Sequence, residues 1–107
     1  MKSYLGQFEL LAILAVLRRD NNAYGLEIQD ELKKRLGREF TLGAIYTTLA
    51  RLEQRRLVSS RLADQESDRL GRPRRYFAIT AAGMRAVKQS QDAMRKMAGG
   101  LKWHLAG

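Results

Sequence analysis

The sequence predicts a mainly α-helical protein with one small β-hairpin. Three observations support this fold class. Three segments in the first half carry apolar residues at helical spacing, two short β-prone runs flank a polar loop with the only proline, and a further helix-prone segment follows. A chain of 107 residues has the usual size of one hydrophobic core. We therefore expect these elements to share a single core.

Two helices are predicted before residue 38. Residues 7–19 are apolar almost all round, which is typical of a central helix buried against several neighbours. The residues Asp-Asn-Asn at 20–22 end this helix, and an asparagine there is expected to cap the next one. The second helix should end at Gly37, which readily adopts a left-handed conformation. Its apolar stripe repeats every fourth residue and consists of Tyr24, Ile28, Leu32 and Leu36.

A third helix is predicted over residues 42–55, with Thr41 as its N-cap. Its buried stripe consists of Leu42, Ile45, Leu49 and Leu52. The opposite face contains no acidic residue and consists of Gly43, Ala44, Thr47, Arg51, Gln54 and Arg55. Its small residues permit close approach, while its hydroxyl and guanidinium groups can bond base edges or phosphates. Tyr46 lies beside the stripe, where either a packed ring or a phosphate contact is open to it.

A basic hairpin follows, with strands predicted over residues 57–63 and 74–79. The loop and the start of the second strand carry four arginines with no acidic residue between them, which are Arg69, Arg72, Arg74 and Arg75. Thr80 is expected to cap a final helix over residues 81–98, in which Met84, Val87, Met94 and Ala98 keep a spacing near seven residues, with Gln91 interrupting. This spacing favours a dimer interface formed by Met84, Val87, Met94, Met97, Leu101 and Trp103.

Composition narrows the classes of function that the chain could have. The formal net charge is +9, which favours a polyanionic partner. The chain has no cysteine and a single histidine, His104, so we expect neither a metal site nor a cofactor. Its serines and threonines have no recognisable base partner, so we do not expect an enzyme. No apolar run could cross a bilayer or act as a signal peptide, so we expect a cytoplasmic protein without a membrane partner.

The order of elements predicts a winged helix-turn-helix DNA-binding domain over residues 1–80 and a C-terminal dimerisation helix and tail over residues 81–107. The third helix would enter the major groove of double-stranded DNA, and the hairpin arginines would contact the backbone or a minor groove. The alternative is a winged-helix module that binds RNA or protein without operator specificity. The residues expected to contact DNA are Thr41, Gly43, Ala44, Tyr46, Thr47, Arg51, Arg69, Arg72, Arg74 and Arg75.

Four segments, which cover about residues 5–87, also resemble the PadR family of bacterial transcriptional regulators in order and spacing. They are LGQFELLAIL at 5–14, NAYGLEI at 22–28, TLGAIYTTLARLEQRRLV at 41–58 and GRPRRYFAITAAG at 71–83. The resemblance implies a homodimer formed largely through the C-terminal helix with help from the first. It also implies binding to pseudo-palindromic promoter DNA, usually as a repressor that a small molecule relieves.

Two features depart from the family pattern. Family members commonly have Gly-Gly-Arg at the wing, where this chain has Leu70-Gly71-Arg72. Longer members carry a C-terminal domain of several helices, whereas this chain has one predicted helix and a short tail, so it resembles the short branch. In that branch a small-molecule effector would have to sit near the dimer interface.

Overall fold

The computed structural model describes residues 4–101. Those residues form four α-helices and a three-stranded antiparallel sheet with β3 in the centre. In chain order the elements are α1 (Gln7–Arg18), β1 (Ala23–Tyr24), α2 (Gly25–Leu36), α3 (Leu42–Gln54), β2 (Val58–Ser67), β3 (Pro73–Ile79) and α4 (Ala81–Ala98). This mainly α fold with a small β-hairpin is the one the sequence predicts. Within the described range, no helix is long and apolar enough to span a membrane.

The core lies between the first three helices and the sheet. α1 contacts α2, α3 and β3, and its Ile13 and Val16 are fully buried, which confirms the predicted central helix. The other elements close the core around α1, and their largest core side chains are Ile28, Ile45, Leu49, Leu52, Val58 and Phe77. Close packing of these side chains fixes the orientation of α3 on the sheet.

Three predicted helix ends are confirmed. The Thr41 hydroxyl oxygen accepts a hydrogen bond from the backbone N–H of Ala44 at 3.1 Å, and the Thr80 hydroxyl oxygen accepts one from Gly83 at 3.0 Å. Gly37 ends α2 in the left-handed conformation, with a φ of 67°. Because such caps satisfy the free backbone groups at a helix end, they fix where α3 and α4 begin.

The predicted asparagine cap of α2 is wrong. The backbone N–H of Tyr24 donates to the Glu27 carboxylate at 3.2 Å, so a glutamate caps this helix. Asn21 pairs with β3 instead: its Oδ1 accepts from the N–H of Ile79 at 2.7 Å, and its Nδ2 donates to the carbonyl of the same residue at 3.4 Å. Asp20 and Asn21 both have a positive φ, of 59° and 54°. This left-handed pair turns the chain back onto the sheet before α2 begins.

The hairpin is longer than the predicted strands. Pairing is regular from Val58 opposite Ile79 to Ala63 opposite Arg74, and it resumes after an irregularity with Ser67 opposite Pro73. The loop therefore shrinks to five residues, Asp68–Arg72. The polar run at 64–66 hides this strand in the sequence, because an arm exposed on both faces shows no apolar alternation. We call β2, β3 and their loop the wing, and Asp68–Arg72 the wing tip.

Candidate nucleic-acid interface

The exposed face of α3 is the first part of the candidate interface. Ile45, Leu49 and Leu52 are fully buried, so the helix presents its opposite side to solvent. That side is exposed at each predicted position and consists of Gly43, Ala44, Thr47, Arg51, Gln54 and Arg55. We call it the contact face. A methyl group added at Gly43 would have no neighbour within 4 Å, so another molecule can approach the start of this helix closely.

Thr47 and Arg51 lie one turn apart on the contact face. Both are exposed, and within residues 4–101 Arg51 forms no ion pair. Arg55 differs, because its guanidinium lies 3.5 Å from the Glu9 carboxylate on α1. Arg51 is therefore the cation of the contact face that keeps its hydrogen-bond donors free for a ligand.

Tyr46 packs its ring against its own chain and leaves its hydroxyl accessible. Its ring packs beside Phe77, with 6.3 Å between the ring centroids, and its hydroxyl lies so close to Gly25 that a Cβ there would overlap it. The hydroxyl forms no hydrogen bond within the described chain, yet it is not a buried unpaired group. The ring is thus part of the packing between α3 and α2, and the hydroxyl reaches solvent at the start of α2.

The wing arginines are not a free positive cluster, although no acid separates them in the sequence. Arg72 is held at the wing tip by Asp68, whose side chain is only 2% exposed. The Asp68 carboxylate accepts from the backbone N–H groups of Leu70 at 2.8 Å and Arg72 at 3.1 Å, and from the Arg72 guanidinium at 3.1 Å. Burial alone would raise the pKa of Asp68, but these hydrogen bonds outweigh it and hold the pKa below its ordinary value.

Arg74 belongs to a second cluster on the outer face of the wing. Its guanidinium lies over the Tyr24 ring at 4.6 Å and donates to the Tyr76 hydroxyl at 3.1 Å. That hydroxyl donates to the Glu66 carboxylate at 2.8 Å. The hydrogen bond to Tyr76 is the main cause of a raised pKa of Arg74. Arg61 lies over the Tyr76 ring, 4.6 Å from its centroid, so stacked cations and rings stiffen the wing.

The two remaining wing arginines connect the wing to helices. Arg75 donates to the Ser60 hydroxyl at 3.1 Å, and that hydroxyl in turn donates to the Glu53 carboxylate of α3 at 2.8 Å. Arg69 lies 3.5 Å from the Asp30 carboxylate of α2, with both side chains at least half exposed. Arg75 is therefore the wing arginine beside α3, and Arg69 is the one beside α2.

Sequence reasoning missed two exposed cations that flank α3. Arg38 precedes the helix and lies over the Phe40 ring at 4.9 Å. Arg56 follows the helix and has a positive φ of 61°, which turns the chain into β2. Their position directly before and after the predicted third helix is a signal that could have identified them.

The predicted interface residues of α4 divide into two groups. Met84, Met94, Met97 and Leu101 are exposed, Met94 and Met97 by 71% and 79%. Val87 is a correction: it is only 5% exposed and belongs to the core of its own chain, because the first half of α4 packs beneath the sheet. The remaining residue of the prediction, Trp103, lies outside the described residues.

An apolar groove of about 950 Å³ lies between the start of the described chain, α1 and the second half of α4. Its apolar lining includes Tyr4, Leu5, Leu10, Leu11, Met94 and Met97. The backbone N–H of Leu5 donates to the buried Ser90 hydroxyl at 2.9 Å, so the groove wall next to α4 is held in place. We call this feature the α1/α4 groove.

Several solved structures share this fold, and three of them illustrate the similarity. A PadR family transcription regulator from Clostridium difficile is 23% identical with a TM-score of 0.69, and the match covers 86% of this chain and 91% of that one. RosR from H. salinarum is 23% identical with a TM-score of 0.67, covering 92% and 81%. A winged-helix DNA-binding protein from STIV is 13% identical with a TM-score of 0.68, covering 94% and 100%. At these identities the similarity shows the winged-helix fold alone.

No curated protein sequence matches the chain. The family model of PadR-like transcriptional regulators, however, matches residues 13–89, from the middle of α1 into α4. This range contains the whole contact face and the whole wing. The chain therefore belongs to the PadR-like family of transcriptional regulators, which are DNA-binding proteins and not enzymes.

Proposed function

We propose that this regulator binds a specific double-stranded DNA sequence through α3 and does so as a homodimer. The observation that carries the proposal is the contact face, which is exposed, free of acidic residues and opposite the fully buried Ile45, Leu49 and Leu52. A B-DNA major groove admits one α-helix, and a helix held in this way can present only that face to it. The exposed small residues Gly43 and Ala44 would allow the helix to sit deep in the groove.

Within the groove, Arg51 and Thr47 are the residues we expect to contact bases. A guanidinium can bond a guanine edge in bidentate fashion, and a threonine methyl can touch the methyl group of thymine. Thr41 and the Tyr46 hydroxyl are placed at the ends of α3 and α2, where contacts go to phosphates. Arg75 lies beside α3 and the other wing cations lie further from that helix; we expect them to contact the flanking backbone.

The α1/α4 groove supports the homodimer. Its walls come from the two helices that the family resemblance assigns to dimerisation, and they carry the exposed side chains of Met94 and Met97. We propose that residues 1–80 bind DNA and that residues 81–107 dimerise by seating α4 on the partner. A two-fold dimer then places two copies of α3 about 34 Å apart on one side of the duplex, so the operator is an inverted repeat.

We further propose that the dimer represses its promoter by occupying it. An apolar effector would relieve repression from the α1/α4 groove, since a ligand there would compete with the packing of α4 against the partner. Binding of a hydrophobic dye or ligand that changes the oligomeric state or the DNA affinity would support this part of the proposal. Unchanged mass and unchanged affinity would contradict it.

The test of the proposed function is selection of bound sequences from random double-stranded DNA, followed by the Arg51→Ala variant. We expect an enriched inverted repeat, and we expect Arg51→Ala to lose about 1–3 kcal/mol on it and to relax preference at one base pair per half-site. Arg85→Ala is the matched control, because Arg85 is an exposed arginine on α4 away from the contact face. Equal loss on all sequences would make Arg51 a phosphate contact, and the absence of any enriched sequence would contradict operator specificity.

The alternative, an RNA-binding or protein-binding winged helix, has one feature in its favour. Tyr24 and Tyr76 lie side by side on the outer face of the sheet, with 5.5 Å between the ring centroids. Arg74 and Arg61 already cover these rings, however, so the rings have little free surface for bases. Tighter binding to single-stranded RNA than to the selected duplex would favour this alternative.

A further inference from the structure

The wing tip presents an apolar side chain at its apex. Leu70 is 59% exposed and stands between Arg69 and Arg72. The tip is a closed turn, in which the N–H of Asp68 donates to the carbonyl of Arg72 at 2.8 Å and the N–H of Gly71 donates to the carbonyl of Asp68 at 2.9 Å. This exposed leucine between two arginines contributes nothing to the core, so its side chain is free to contact a ligand.

The position of Leu70 is fixed in advance. Its own backbone N–H donates to the buried Asp68 carboxylate at 2.8 Å, and Gly71 takes the positive φ of 81° that closes the turn. A side chain held in place before binding loses less conformational entropy when it meets a ligand. The stacked layer of Arg61, Tyr76 and Arg74 stiffens the stem below it. The wing is thus a stiff arm with a leucine at its end.

The arm is long enough to reach a neighbouring groove. β2 has ten residues, which corresponds to about 33 Å at the usual rise of a strand. The centre of a minor groove lies half a helical turn, about 17 Å, from the centre of the adjacent major groove. A strand of this length, which starts shortly after α3 ends, can carry the wing tip across the intervening phosphate backbone.

We propose that Leu70 enters the minor groove beside the major groove occupied by α3, and that it makes the wing discriminate A·T from G·C pairs there. This inference rests on the proposed function. Guanine places a 2-amino group on the floor of the minor groove, where A·T pairs have none. A leucine methyl would collide with that group and leave without a partner the one N–H of the group that is not bonded to cytosine. Narrow A·T-rich minor grooves also attract cations, which Arg69 and Arg72 supply on either side.

The test uses the duplex selected by the wild-type protein, with the base pairs beneath the wing replaced in turn by A·T, G·C and inosine·cytosine. Inosine lacks the 2-amino group, so its pair matches G·C in the major groove and A·T in the minor groove. We expect the A·T and inosine duplexes to bind with similar affinity, and the G·C duplex to bind about tenfold more weakly. Equal binding of inosine and G·C duplexes would overturn the proposal.

Variants of the tip then assign this effect to Leu70. We expect Leu70→Ala to lose about tenfold in affinity on the A·T duplex and to lose most of its discrimination, while Leu70→Met restores both. Leu62→Ala is the control, because Leu62 is an exposed leucine on the stem of the same wing and should change affinity less than twofold. If Leu70→Ala still bound the A·T duplex more tightly than the G·C duplex to the wild-type extent, the assignment would be overturned. An equal loss of affinity on all three duplexes would overturn it too.

The outcome separates this inference from the proposed function. If no duplex is enriched in the selection, or if Arg51→Ala binds the selected duplex like the wild type, the proposed function itself fails. If the selection and the Arg51 variant behave as expected and the inosine duplex does not, only the role of Leu70 fails. Unfolding temperatures of the Leu70 variants should equal that of the wild type, because the side chain is mostly exposed.

Discussion

Gly83 lies in the first turn of α4, where the helix approaches the chain between α3 and β2. A Cβ at this position would overlap the carbonyl oxygen of Leu57 and lie 2.7 Å from a methyl group of Ile79. The same carbonyl accepts the N–H of Thr80 at 3.1 Å, so it cannot move without breaking that hydrogen bond. A single hydrogen atom in place of a methyl group thus sets how closely α4 packs on the domain.

Replacement of this glycine should be strongly destabilising. We expect Gly83→Ala to lower the free energy of unfolding by about 3 kcal/mol, because the clash is with backbone and not with a flexible side chain. Gly43→Ala is the matched control: its added methyl group meets open space, and alanine favours a helix, so stability should rise by about 0.5 kcal/mol. Urea unfolding measures both changes in the free energy of unfolding. A Gly83→Ala protein as stable as the wild type would contradict the tight packing of α4.

Glu31 is a buried carboxylate between α1 and α2. Its oxygens accept from Arg19 at 2.9 Å and from Arg35 at 3.1 Å. The hydrogen bond from Arg19 is the main cause of a lowered pKa of Glu31, and the bond from Arg35 adds to it, while burial opposes both. A carboxyl group with a lowered pKa in the folded state stabilises the fold when it is ionised. The same argument applies to Asp68, whose pKa is also lowered.

Stability should therefore fall in acid. Both contributions are complete above the ordinary pKa values of 4.5 for Glu31 and 3.8 for Asp68, and they are lost as the pH falls through the lower values of the folded state. We expect Glu31→Gln to flatten this dependence. Glu39→Gln should not, because the Glu39–Lys33 pair is exposed on both sides and contributes little. The measurement is the free energy of unfolding between pH 7 and pH 3 for the wild type and the two variants. Equal slopes of this free energy against pH in all three proteins would contradict the role of Glu31.

At the scale of elements, the wing combines arginines with different tasks. Arg72 holds the tip through Asp68, whereas Arg75 makes a single hydrogen bond, to the exposed stem next to α3. A phosphate contact shows itself in the salt dependence of binding, because each contact releases condensed counterions. A contact that only holds the wing tip together shows itself instead in how well the backbone of the tip is protected from hydrogen exchange.

These tasks predict different results for two alanine variants. We expect Arg75→Ala to reduce the log-log slope of affinity against salt by about 0.9, the value for one phosphate contact, on specific and non-specific DNA alike. In Arg72→Ala we expect a second readout to change: hydrogen exchange of the Leu70 amide should become faster, because Asp68 loses its cation. An Arg75→Ala slope equal to that of the wild type would mean that this arginine does not touch phosphate.

Elements with a buried stripe were predictable from the sequence, and exposed or non-local features were not. The predicted bounds of α1 and α3 differ from the structure by one residue, since the stripe and the Thr41 cap fix them. The outer part of β2, residues 64–67, was missed because its polar residues show no apolar alternation. The pairing of Arg74 with Glu66 was missed because antiparallel strands join residues that are eight positions apart. Val87 was assigned to a partner because spacing along α4 does not tell a helix's own core from an interface.

At the scale of the whole molecule, the chain is extended for its length. Its radius of gyration is 15.4 Å and its extents are 53 × 36 × 22 Å, whereas a compact domain of this size has a radius near 13 Å, about 2 Å less. The wing and the second half of α4 project from the core. The wing projection is polar at its stem, but the α4 projection carries exposed methionines over an apolar groove. Exposed apolar surface of this kind is typical of an interaction site.

A second copy of the chain should cover that surface. We expect light scattering at tens of micromolar to give twice the chain mass, and the double substitution of Met94→Glu with Met97→Glu to give the mass of one chain. Buried carboxylates without partners strongly disfavour an interface. Arg85→Glu is the control, because it adds an acid on the side of α4 opposite Met94 at about 100° per residue and should leave the dimer intact. A wild-type protein with the mass of one chain would remove the interface and the pairing of the two α3 helices.

DNA binding links this interface to the contact face. A dimer on an inverted repeat engages the second half-site at high effective concentration once the first is bound, so its affinity for the full site far exceeds that for a half-site. A monomeric Met94→Glu, Met97→Glu protein lacks this gain, and we expect it to bind the full site and an isolated half-site with equal affinity. Insertion of five base pairs between the half-sites should weaken the wild type, because it rotates one half-site to the opposite side of the duplex. The same insertion should leave the monomeric variant unchanged, and sensitivity of that variant to spacing would show that the two α3 helices are coupled by something other than α4.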